Sequence, residues 1–216
     1  MPNLLVYIRR GLERKFKVNF HRFKERPDFL IVSPGGCGSI TLLKYLDEFG
    51  KSNLYFERKY EKYNSLSGLL IGHIYKPNKY LIKNKIKILL IHRNYEDIYK
   101  SMVSRRFLRN SLNIMGDCFP FIYNHIFKDE LKLKKKYFRY LDFFYNNWSS
   151  YDDNLILNLD YPDIYTNSNT QKKIKFFLNI ENKDFLKNFP KFKKYKKTKE
   201  FVDPSSILMK SMYNIE

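Results

Sequence analysis

Four short apolar runs punctuate the chain, and each ends in glycine or polar residues: Asp28-Phe-Leu-Ile-Val-Ser33, Leu69-Leu-Ile71, Lys87-Ile-Leu-Leu-Ile91 and Asn154-Leu-Ile-Leu-Asn-Leu159. Continuous rather than alternating apolar runs of this length predict strands covered on both faces. Between them the spacing changes to that of helices. Leu42, Leu43, Leu46 and Phe49 share one face of a helix over residues 40–49 that Gly50 ends, and further helices are predicted over 94–107, about 118–150 and 169–178. Residues 1–26 form an amphipathic basic helix or arm that stops at Pro27, because the residue before proline disfavours helical angles. Strands alternating with helices predict a single α/β domain over residues 27–186, a central parallel β-sheet flanked by helices, followed by a basic segment over 187–216.

Composition narrows the partners. Of 216 residues, 44% are hydrophobic and 29% charged, enough to bury one core and too mixed for general disorder. No apolar stretch approaches the roughly 18 residues of a membrane span. Residues Leu4 to Ile8 are too short for a signal peptide, so Cys37 and Cys118 are expected as free thiols of a cytoplasmic protein. The net charge of +19 points toward a polyanion, but it is concentrated: +6 in residues 1–26, +4 in 128–139 and +7 in 187–199. Nucleic-acid binders lay basic and aromatic residues along one continuous surface, so this distribution argues against nucleic acid and leaves peripheral contact with anionic surfaces open.

The candidate chemistry lies at the strand ends. Gly35, Gly36, Cys37, Gly38, Ser39, Ile40 and Thr41 join the first strand to its helix, where glycine lets main-chain N–H groups converge at the positive helix end and cradle an anion. No lysine precedes Ser39 or Thr41, which weakens an ATP- or GTP-hydrolysing reading. A phosphatase-type role for Cys37 would need an arginine where Leu43 stands. Arg93 ends the third strand, with Ser101 eight residues on along the next helix; a guanidinium and a hydroxyl so placed can grip a phosphate. His73 stands at another strand end. His92 reads as structural, His21 belongs to the arm, and His125 falls within an aromatic helix. No His/Cys/Asp cluster has ligand spacing, so these residues require no metal.

Together these elements resemble the family of sulfotransferases that use 3′-phosphoadenosine 5′-phosphosulfate (PAPS). Pro34-Gly-Gly-Cys-Gly-Ser-Ile-Thr41 stands where that family has its P-K-S-G-T-T loop for the donor's 5′-phosphate. Ile88-Leu-Leu-Ile-His-Arg93-Asn-Tyr-Glu-Asp-Ile-Tyr-Lys-Ser101 is similar to its 3′-phosphate segment in order and spacing. Gly72-His73-Ile-Tyr-Lys-Pro77, twenty residues before Arg93, resembles the segment of its catalytic histidine; Leu155-Ile-Leu-Asn-Leu-Asp-Tyr161-Pro-Asp-Ile164 resembles its Tyr-Glu-Asp-Leu strand end, whose tyrosine lies near the adenine, and the helix ending Phe176-Phe-Leu-Asn-Ile180 resembles the FLG-like helix that follows. The resemblance covers about residues 27–180 and implies a P-loop-NTPase-like fold. It also implies PAPS as co-substrate without a metal, an acceptor hydroxyl with a glycan among the candidates, and His73 as the base. Three departures stand out: the loop is one residue longer and lacks its lysine, for which Lys76 is a candidate substitute; Tyr95 replaces a proline; and Lys193 to Lys199 stand in only by composition for a C-terminal Arg-Lys-Gly. A P-loop nucleotide or small-molecule kinase, and a basic polyanion- or membrane-surface-binding module on an inactive core, remain as alternatives.

Overall fold

The computed structural model of the chain describes residues 25–53, 55, 76–77, 79–105, 107–108, 111–112, 115 and 129–191. Three strands, β1 (Phe29–Val32), β2 (Lys87–His92) and β3 (Ile156–Asp160), lie in the order β1-β2-β3 with both neighbouring pairs parallel. All four side chains of β1 and the central four of β2 are buried, as continuous apolar runs require of strands covered on both faces. The described chain is thus a mixed α/β fold built on a small parallel sheet.

The helices begin and end where local chemistry dictates. Helix α1 (Ser39–Leu46) follows the glycine loop and tightens into a 3₁₀ turn over Asp47–Phe49. The short helix α2 (Lys79–Lys83), which the pattern did not predict, precedes β2. Asn94 caps α3 (Tyr95–Ser104), its side-chain oxygen accepting from Glu96 N at 2.9 Å. Asp129 likewise caps α4 (Glu130–Trp148), accepting from Lys132 N at 3.0 Å. Strand β3 starts two residues later than the apolar pattern suggests. Asp152 binds Asn154 N through its side chain and Leu155 N through its carbonyl, holding those residues in a turn. After β3 come α5 (Asp163–Thr166), also unpredicted, and α6 (Ser168–Leu178), capped by Asn167 and ended by Asn179 in the left-handed conformation.

The core joins these layers. Leu30 and Ile31 of β1, Ile88, Leu89 and Ile91 of β2, Leu42 and Leu46 of α1, and Tyr137, Phe144 and Trp148 of α4 are buried. The body extends beyond the last helix: Phe189 packs edge-on and Phe185 tilted against Tyr45, and Tyr45 Oη donates to the Phe185 carbonyl. Asn53 closes part of the β1 edge, since its carboxamide takes both Ile31 N (2.7 Å) and Ile31 O (3.0 Å). No helix among the described residues is long and apolar enough to cross a membrane. Most of the N-terminal arm, the predicted strand Leu69–Ile71, the first residues of the predicted 118–150 helix and the lysines beyond Lys191 lie outside the described residues.

Candidate functional site

The carboxyl ends of parallel strands gather loops and helix N-termini at one edge of the sheet. Here β1 delivers the loop 33–41, β2 delivers Arg93 and α3, and β3 delivers Tyr161. Gly35, Gly36 and Gly38 take φ of 97°, 71° and 69°, the left-handed region in which a Cβ is strained. The space beside two of them is also claimed. A Cβ on Gly36 would lie 2.9 Å from Met102 Cε and 3.5 Å from Ser101 Oγ, and one on Gly38 would lie 2.8 Å from Tyr161 Cε2.

The loop is anchored from several elements. Ser111 Oγ donates to Pro34 O at 2.9 Å, and the buried Tyr137 hydroxyl lies 2.6 Å from Ser111 Oγ. Tyr165 Oη donates to Gly38 O at 2.7 Å, and Ser33 Oγ meets Ser39 Oγ at 3.2 Å. Ile40, in the first turn of α1, is 65% exposed and Thr41 is exposed as well, so these two face outward while Ser39 faces the core. The Cys37 side chain is buried and donates to Gly35 O at 3.2 Å. Burial pushes its thiol up to about 12, outweighing the pull of the nearby Arg93, Tyr145 hydroxyl and Arg105. A thiol held neutral in this way is not a nucleophile, and only the Cys37 main chain remains to contact an anion.

Arg93 closes on the loop from β2. Its Nη1 donates to Gly36 O at 2.6 Å, its guanidinium carbon lies 4.6 Å from the centre of the Tyr161 ring, and Asp97 Oδ2 stands 3.9 Å from Nε. Nε is buried without a hydrogen-bond partner among the described residues. Ser101 sits one face of α3 further on, and Arg105 Nη2 donates to Ser101 Oγ at 2.6 Å. A hydroxyl that accepts from a guanidinium keeps its own proton for another acceptor. Two guanidinium groups, one hydroxyl and a left-handed glycine loop therefore converge, an arrangement suited to an oxyanion of phosphate type.

The chain matches no family model, no curated protein and no solved structure.

Of the residues anticipated from sequence, Gly35 through Thr41, Arg93, Ser101 and Tyr161 are brought to this one edge. His73 lies outside the described residues, as do His21, Cys118 and His125. Lys76 is exposed. His92 leaves its strand toward Tyr145, on which it stacks at 4.4 Å, and Asn158 Oδ1 stands 2.8 Å from its Nε2. Arg105 was not singled out from sequence. Its position four residues after Ser101 puts both on one helical face, and that spacing was the available signal. Tyr165 and Ser111 were missed because their contacts to the loop span 127 and 77 residues. No group of three or more His, Cys, Asp or Glu that could hold a metal occurs among the described residues.

Proposed function

We propose that the chain is a sulfotransferase that moves a sulfuryl group from PAPS to an acceptor hydroxyl, on a single-domain P-loop-like sulfotransferase fold. The observation that carries the reading is the junction of Arg93 with Gly36, 57 residues apart in sequence, beside Ser101 at the carboxyl edge of a parallel sheet. One nucleotide bearing phosphates at two positions suits it: the glycine loop and the N-terminus of α1 receive the 5′ side, and Arg93, Ser101 and Arg105 receive the 3′-phosphate. Tyr161, already under Arg93, supplies an aromatic surface for the adenine side.

In the reaction the acceptor oxygen attacks sulfur in line, and the bond from sulfur to the bridging phosphate oxygen breaks. Its electron pair leaves with 3′,5′-adenosine bisphosphate, and the acceptor proton passes to His73. Charge in such a transition state spreads over the sulfuryl oxygens, so positioned N–H groups and cations do most of the work. A glycan hydroxyl is the acceptor we would test first.

Thermal-shift measurements with 3′,5′-adenosine bisphosphate, AMP and ATP test the nucleotide reading. The bisphosphate should stabilise the native state most at equal concentration. Equal shifts for bisphosphate and AMP would refute it, and a Mg²⁺-dependent preference for ATP would favour a kinase.

A further inference from the structure

Helix α6 contains two adjacent phenylalanines with opposite fates. Phe177 turns toward the sheet, where the Lys87 ammonium lies 5.5 Å from its ring and donates to its carbonyl at 2.6 Å, and Ile174 is fully buried. Phe176 is 86% exposed, the most exposed large hydrophobic side chain among the described residues. Lys172 and Lys173, one turn earlier, are exposed beside it. From Ser168 to Ile180 there are three lysines and no acid. The exposed Lys183, Lys187 and Lys191 follow, against Glu181 and Asp184.

A large aromatic ring held in water among lysines costs solvation and contributes nothing to the fold. We propose that the outer face of α6 docks on an anionic phospholipid surface, with Phe176 entering the headgroup boundary and Lys172 and Lys173 meeting lipid phosphates. Charge complementarity selects the partner: a cationic face free of acids, centred on one exposed aromatic, fits a negatively charged leaflet. A neutral protein surface would leave the lysines unmatched. The inference does not depend on the nucleotide site, because it uses none of that site's residues.

The test is cosedimentation of the full chain with vesicles of phosphatidylcholine alone and with about 30% phosphatidylserine, near 0.1 M salt, chosen so that surface charge is only partly screened. Binding is expected only to the anionic vesicles. Phe176→Ser should weaken it by about tenfold, from the burial of one aromatic side chain. Lys172→Gln with Lys173→Gln should weaken it by about 30-fold, from roughly 1 kcal/mol per basic residue. These side chains are exposed, so an unchanged melting temperature verifies the fold of each variant. Failure of the wild-type chain to bind anionic vesicles overturns the proposal. So does vesicle binding untouched by either variant, which would assign it to the other basic segments. Phe176-dependent binding to a single-stranded oligonucleotide without vesicle binding would likewise overturn it and make this face a nucleic-acid platform.

Discussion

Replacing Gly38 by alanine separates what the glycine loop does for the fold from what it does for a ligand. Gly38 has φ of 69°, and a Cβ there would lie 2.8 Å from Tyr161 Cε2, 3.2 Å from Tyr161 Cδ2 and 3.4 Å from Tyr165 Cε2. Left-handed backbone costs an L-residue about 1–2 kcal/mol. The clash bears on the Tyr161 ring where it stacks under Arg93, and so strains a cation–π contact worth about 0.5–2 kcal/mol. The smaller entropy of unfolded alanine returns about 0.4–1 kcal/mol. The net loss is about 1–3 kcal/mol, or roughly 3–10 °C in melting temperature for a chain of this size.

Gly36→Ala is the internal comparison. Its φ of 71° brings the same backbone strain, but its close neighbour is Met102 Cε, the flexible end of a side chain. Stability should therefore fall by about 1 kcal/mol less than in Gly38→Ala, because Met102 can swing aside and a tyrosine ring wedged between Arg93 and Tyr165 cannot. Binding should show the reverse order, since the new methyl on Gly36 lies 3.5 Å from Ser101 Oγ. Urea unfolding of both variants, with bisphosphate titrations on the folded proteins, reads the two effects. Gly38→Ala within about 0.5 kcal/mol of wild type would refute the claim that Tyr161 is wedged by the loop.

Five further outcomes follow from the same geometry. Arg93→Met and Arg105→Met should each lower affinity for 3′,5′-adenosine bisphosphate by about tenfold or more while changing AMP affinity less, from the loss of a charged hydrogen bond; isothermal titration that finds equal losses for both nucleotides would move these arginines off the 3′-phosphate. His73→Ala should reduce turnover by roughly 10² with donor affinity kept, and full activity would remove His73 from the role of base. In a Cys118→Ser background Cys37 should resist a thiol reagent near pH 8 until the protein unfolds. Burial also raises Tyr99 and Tyr151 to about 12, so the native state keeps protons that the unfolded chain releases above about pH 9–10; stability should then fall as pH climbs toward 12, and unfolding free energies that rise there would contradict the sign. Truncation after Phe189 should leave cooperative unfolding intact, whereas Phe185→Ala should cost about 3–5 kcal/mol, because the Phe185 ring is fully buried against Tyr45 and Phe49.

The parallel strands and the larger helices were legible in the sequence because each is a local pattern. Phe29–Val32 and Ile88–Ile91 are apolar without interruption, and such runs are stable only when covered on both sides. The glycine loop was legible for a similar reason: three glycines within four residues after a strand permit a left-handed turn into a helix that residues with a Cβ would strain. Arg93 and Ser101 could be paired as a strand-end guanidinium and a hydroxyl two turns along the next helix, and in the fold both reach Gly36. Local pattern failed where position in the fold decided. Arg105 became a candidate only when its hydrogen bond to Ser101 brought it beside the glycine loop, and Cys37 lost its nucleophilic character through burial that composition does not reveal. Phe176 and Phe177 are identical in sequence terms, and only the docking of α6 on the sheet distinguishes the half-buried ring from the exposed one. Sequence periodicity specifies which residues can share a face, but which face meets the core, and which polar groups then meet each other across 57 to 127 residues, is settled by tertiary packing.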